Sequence, residues 1–167
     1  MKSIDKDLID ELLKDSPEYN KIKSLILNGA NINIRFGEYN SNILDKLLEG
    51  RRGGENEKID INKIRFCLEN GLDLKIMNHV VGFNYLFDAC MLLRPDIVEL
   101  LLQYGSDPNC ISEDNNEETL LDWISEDIYF EEVIERFNQY TEEDIKKYKE
   151  CEKLLIKYGG KYFREIE

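Results

Sequence analysis

The sequence predicts an all-α fold built from a repeated helical unit. Four stretches share one pattern, an apolar helix tail that ends in glycine and runs into a polar turn. They are Leu25-Ile26-Leu27-Asn28-Gly29-Ala30-Asn31-Ile32-Asn33, Cys67-Leu68-Glu69-Asn70-Gly71-Leu72-Asp73-Leu74-Lys75, Leu101-Leu102-Gln103-Tyr104-Gly105-Ser106-Asp107-Pro108-Asn109 and Leu155-Ile156-Lys157-Tyr158-Gly159-Gly160. Each glycine stands where a helix C-terminus calls for a left-handed backbone, the conformation that costs glycine least. The glycines are 42, 34 and 54 residues apart. That spacing fits a unit of about 33 to 34 residues with insertions in two copies. The chain has 167 residues, 42% of them hydrophobic. A chain of this size buries roughly 70% of its unfolded surface and needs neither disulfide nor metal to fold.

The elements follow in order. Residues 4–36 form a first copy that lacks its opening turn, as a capping repeat would. The second copy spans about 37–78, with Asn42-Ile43-Leu44-Asp45-Lys46-Leu47 opening its first helix. Between its helices lies an insertion at about 50–58, Gly50-Arg51-Arg52-Gly53-Gly54-Glu55-Asn56-Glu57-Lys58, whose glycines and charges predict a surface loop. The third copy, 79–111, has no gap. Gly82 marks its turn, Asn84-Tyr85-Leu86-Phe87-Asp88-Ala89 its first helix, and Asp96-Ile97-Val98-Glu99-Leu100-Leu101-Leu102 its second. The fourth copy, 112–163, opens its first helix with Thr119-Leu120-Leu121-Asp122-Trp123-Ile124. It carries an insertion at about 126–148. The spacing of Ile128, Tyr129, Phe130, Val133, Ile134, Phe137 and Tyr140 there predicts an extra helix that turns at 138–141. Thr141-Glu142-Glu143-Asp144 then caps the helix that follows.

These segments resemble the ankyrin repeat, whose unit is a β-turn followed by two antiparallel helices with T-P-L-H-x-A opening the first. The resemblance covers nearly the whole chain. It implies a single domain, 1–167, that is a solenoid of four helix–turn–helix repeats with short β-turn loops and a helical insertion in the last. Both insertions would then lie on one edge of the solenoid. The family's histidine is replaced by Asp45, Phe87 and Asp122, so its hydrogen bonds to the neighbouring loop are replaced or lost. The chain holds only two alanines, Ala30 and Ala89, where close helix packing favours many. Irregular stacking is expected.

Charge narrows the function classes. The 35 acids outnumber the 22 Lys and Arg residues, for a net charge of −13. This argues against nucleic acid or an anionic membrane as partner, since both require clustered positive charge. No apolar run approaches the ~20 residues of a membrane span, and the opening Met1-Lys2-Ser3-Ile4-Asp5-Lys6 has no secretory apolar core. Cys67, Cys90, Cys110 and Cys151 form no C-x-x-C pair and fit neither a disulfide framework nor a zinc site. They read as core residues of a protein in the reduced cytoplasm. A nucleophilic triad would have to recruit His79, the single histidine, which falls at a repeat's turn. The acidic stretch from Glu113 lacks the glycine and closing glutamate of a calcium loop. Gly53-Gly54 lacks the Lys-Ser/Thr of a phosphate loop. The sequence therefore predicts no enzyme, no cofactor and no metal.

Two features point to a binding surface instead. Between Ile111 and Asp144 thirteen acids face Arg136 alone, a net −12 in 34 residues, which leaves −1 for the rest of the chain. Such a lobe is either a solvated face or a surface that steers a basic protein partner. Second, ankyrin proteins hold partners with their turn tips and the exposed face of each first helix. Those positions in the third copy are Val80, Val81, Phe83, Met91, Leu92 and Ile111, all apolar, and they are flanked by Tyr39 on one side and by Asn115, Glu118, Glu126 and Asp127 on the other. An apolar centre with a polar rim is the anatomy of a protein interface. The competing expectation is that part of the patch packs into the core. Together these features predict a protein-binding module that holds its partner in a concave groove. It would act as an immunity-type inhibitor of a basic toxin or enzyme, or alternatively as a scaffold or host-targeting adaptor.

Overall fold

The computed structural model describes residues 1–38, 40–49, 59–75, 85–111, 118–125 and 141–166. Among them the fold is helical throughout, with α1 (Ser3–Leu12), α2 (Tyr19–Leu27), α3 (Ile43–Leu47), α4 (Ile61–Glu69), α5 (Tyr85–Met91), α6 (Pro95–Gln103), α7 (Leu120–Ser125) and α8 (Glu142–Lys157). A 3₁₀ turn follows at Phe163–Glu165. Extended pairing among the described residues is limited to two isolated bridges, Phe36 with Ser41 and Ile111 with Thr119. The helices pack as successive pairs, α1 on α2, α3 on α4, α5 on α6 and α7 on α8, and α6 also packs on α8. The chain divides into two compact units, Met1–Asp73 with α1–α4 and Leu74–Glu167 with α5–α8.

Each pair ends in the same way, as the glycine pattern predicts. Gly29, Gly71, Gly105 and Gly159 have φ of 94°, 91°, 90° and 91°. In each case the glycine N–H donates to the carbonyl three residues back, and the next N–H reaches the carbonyl five residues back. At the first copy these bonds are Gly29 N to Ile26 O at 2.9 Å and Ala30 N to Leu25 O at 3.0 Å. At the third they are Gly105 N to Leu102 O at 3.1 Å and Ser106 N to Leu101 O at 3.0 Å. This paired closure satisfies carbonyls that the helix end would otherwise leave open.

Four residues beyond the glycine, an asparagine joins one pair to the next. In the first unit Asn33 Nδ2 donates to Gly71 O at 2.9 Å while its Oδ1 accepts from Asp73 N at 2.8 Å. In the second unit Asn109 repeats the arrangement, donating to Gly159 O at 3.1 Å and accepting from Lys161 N at 2.8 Å. A side-chain amide can do both because it carries donor and acceptor on one planar group.

The first helices start on reciprocal caps. Asn42 Oδ1 accepts from Leu44 N and Asp45 N at 2.8 and 3.0 Å, and Asp45 Oδ2 accepts from Asn42 N at 2.6 Å. Thr119 and Asp122 do the same at α7. Asp122 Oδ2 also takes the Phe163 N–H at 2.8 Å. Phe87 instead meets the Trp123 ring edge-on at 5.3 Å.

Each unit has its own core. In the first, Leu8, Ile9 and Leu12 of α1 lie at helical spacing beside Ile22, Ile43, Leu44, Ile64 and Cys67, all buried. Glu11 is buried too, and its carboxylate accepts from Lys14 Nζ at 2.8 Å, Lys21 Nζ at 2.6 Å and Glu18 N at 3.2 Å, tying α1 to the start of α2. The second core holds Tyr85, Leu86, Ala89, Ile97, Val98, Leu101, Leu120 and Leu155.

Thr141 caps the last helix as the sequence predicts, with Thr141 N on Asp144 Oδ2 at 2.8 Å. From that cap α8 runs unbroken to Lys157, and residues 142–148 are its first two turns. Buried Tyr148, Cys151 and Leu155 lie at i, i+3 and i+7, one continuous apolar face. The segments 50–58 and 126–140 lie outside the described residues.

Candidate functional site

Of the residues predicted to meet a partner, Met91, Leu92, Ile111 and Glu118 are described, while Tyr39, Val80, Val81, Phe83, Asn115, Glu126 and Asp127 lie outside the described residues. Met91 ends α5 and is half-buried. Leu92 is a correction. It is 8% exposed and belongs to the core. The turn that follows α5 explains why. Leu92 N donates to Asp88 O at 2.9 Å, which continues the helical path for one more residue, and only at Leu93 does the chain turn, with φ of 54°. The Leu92 side chain is therefore placed as a helix residue facing inward.

Ile111 is the exposed member, at 36%. An antiparallel bridge pairs it with Thr119, next in sequence to half-buried Glu118. The bridge thus brings Ile111 and Glu118 near one another, and the sequence between them carries Glu113, Asp114 and Glu117. Thr119 is itself held in place, as its hydroxyl donates to Asp122 Oδ2 at 2.7 Å and lies 2.9 Å from Lys161 O.

The perturbed titrating groups all hold structure together. Hydrogen bonds from Lys14 first, then Lys21 and Glu18, outweigh burial and hold Glu11 down at about 2. Burial works against ionisation of Asp122, but the Thr119 and Phe163 donors and the Arg164 charge keep it below the usual carboxylate range. Asp96 is held low against burial in the same way by Arg94, whose guanidinium grips it at 2.8 and 2.6 Å. Burial pushes the Cys67 thiol up to about 12, which leaves it protonated and unreactive at neutral pH. Among the described residues no group of three or more His, Cys, Asp or Glu side chains could hold a metal ion, and no helix is long and apolar enough to cross a membrane. His79 lies outside the described residues.

Two features escaped the sequence reading. The Glu11 cluster joins residues 3 and 10 positions apart, and nothing in an acid-rich sequence singles out one glutamate. The Phe87–Trp123 contact joins equivalent stretches of neighbouring copies, and aligning those copies could have suggested it. The chain matches no protein-family model and no curated protein.

Proposed function

We propose that the chain is a protein-binding module of the ankyrin type, without enzymatic activity, that holds a basic protein partner on the turn tips and first helices of its third and fourth copies. The observation that carries this reading is the exposed Ile111, pinned by its bridge to Thr119 within the most acidic stretch of the sequence. An exposed apolar residue in an acid-rich stretch of sequence suits a partner that presents an apolar contact within a basic surface, because opposite charge steers the encounter and the apolar contact slows release. The recurring helix pair, glycine closure and asparagine link support the ankyrin reading. Within it we favour an inhibitor of the immunity type, in which the acidic segment covers the basic cleft of a toxin or enzyme.

The test starts with affinity capture from native lysate at low and moderate salt. The captured partner is then assayed for activity with and without this chain. An inhibitor abolishes that activity, whereas an adaptor binds and leaves it intact. Ile111→Asp should weaken binding at least about tenfold with an unchanged thermal midpoint, since an exposed contact in an interface contributes more than ~1.4 kcal/mol only if the partner covers it. Unaltered affinity in that variant would remove the proposed site.

A further inference from the structure

We propose that Asn28 and Asn70 are sites of spontaneous deamidation, held back by the helix closures they precede, and that Asn28 converts before Asn70. Each stands directly before a closing glycine, Gly29 or Gly71, and no other Asn-Gly pair occurs in the chain. The third and fourth copies carry Tyr104 and Tyr158 at the same place, so this chemistry belongs to the first unit. An asparagine before glycine is open to attack by the next main-chain nitrogen, because glycine has no side chain to shield it. The glycine N–H gives up its proton, the nitrogen bonds to the asparagine Cγ, and the Cγ–Nδ2 bond breaks to release ammonia. Water then opens the cyclic imide at either carbonyl, leaving aspartate or isoaspartate. No oxidation occurs, and water is the sole co-reactant.

The fold engages both reacting groups. The Gly29 N–H donates to Ile26 O at 2.9 Å and the Gly71 N–H to Leu68 O at 3.2 Å. The side-chain amides are tied back one turn, Asn28 Nδ2 to Ser24 O at 2.8 Å and Asn70 Nδ2 to Phe66 O at 2.7 Å. Conversion therefore waits for the helix end to open locally. The two ends are not held equally. At each, the N–H two residues past the glycine is bound, Asn31 N to Asp5 Oδ1 at 2.9 Å and Asp73 N to Asn33 Oδ1 at 2.8 Å. Of the two glycines, only Gly71 also has its carbonyl bound by a side-chain amide, that of Asn33 at 2.9 Å. Asn70 is half-buried, whereas Asn28 is exposed. Opening is thus easier at Asn28. A carboxylate formed there cannot donate to Ser24 O, and its charge opposes the dipole at the end of α2, so conversion loosens the closure further.

The experiment holds the full chain in mildly alkaline buffer, folded or unfolded in urea, and follows each site by peptide mass mapping with an isoaspartate assay. Rates in urea normalise the two sites for their flanking residues. Relative to urea, both sites should be slower in the folded chain by about tenfold or more, with Asn28 about threefold or more ahead of Asn70. Asn33→Asp keeps the acceptor for Asp73 N and loses the donor to Gly71 O. It should speed Asn70 by about fivefold, the effect of one ordinary hydrogen bond on an opening equilibrium, and leave Asn28 unchanged. Folded rates equal to those in urea, no conversion at Asn28, or Asn70 ahead of Asn28 would each overturn the proposal without any variant. So would an Asn33→Asp chain in which both sites speed up alike, because the whole unit would then be opening, or one in which neither does.

Discussion

Replacing each repeat glycine by alanine should cost the same at all four copies. Gly29, Gly71, Gly105 and Gly159 share φ within 90–94°, and a Cβ added at any of them would meet nothing within 4 Å. The penalty is therefore conformational and not steric. Placing an L-residue in the left-handed region costs about 1–2 kcal/mol. Alanine recovers roughly 0.4–1 kcal/mol by restricting the unfolded chain, which leaves a net loss near 1 kcal/mol per site. Asparagine tolerates this backbone better and should cost less than alanine at every position. Gly160 is the contrast. Its backbone is not left-handed, but a Cβ there would stand 2.8 Å from Leu155 O, so Gly160→Ala must push backbone aside and should cost clearly more. Urea unfolding followed by far-UV circular dichroism gives the values, and Trp123, the single tryptophan, reports on the second unit by fluorescence. Four unequal losses, or alanine no worse than asparagine, would refute the argument that one backbone closure recurs in each copy.

Other outcomes follow from single contacts. Asn109→Ala removes two exposed hydrogen bonds and should destabilise the second unit by about 1 kcal/mol in denaturant titration. Ser106 is buried with a hydroxyl that has no hydrogen-bond partner, and its counterpart in the first copy is Ala30. Ser106→Ala should raise stability by up to about 1 kcal/mol, read as a higher thermal midpoint. Glu11 has a folded value of about 2 against an ordinary 4.5. Its stabilising effect is full above pH 4.5 and fades as pH falls toward 2. Glu11→Gln should flatten the stability–pH curve in that window and leave the rest of it unchanged in shape. Neutralising Glu131, Glu132 and Glu135 together should slow partner association at low salt, and stopped-flow rates that ignore both salt and the substitutions would reduce the acidic segment to a solvated face.

What was legible in the sequence is what local chemistry decides. A left-handed backbone selects glycine, so four glycines located four helix ends. Thr141 with Asp144 announced a helix start because the cap closes within one turn. The site was less legible. Leu92 looked like a surface position by its place in the repeat, but a single extra helical residue before Leu93 turned it inward, and periodicity alone does not fix where a helix stops to within one residue. The Glu11 cluster depends on tertiary placement, on which sequence spacing is silent, whereas the Phe87–Trp123 contact was open to an alignment of the copies.

The asparagine links have one consequence for how such a chain changes over time. Asn33 and Asn109 engage only main-chain groups of the following copy, a glycine carbonyl and the N–H two residues on. Any residue except proline supplies that N–H, so the joint places almost no demand on its neighbour's side chains. A chain assembled this way conserves its geometry with very little sequence information, and its copies can drift far from one another and from any relative while the joints still close.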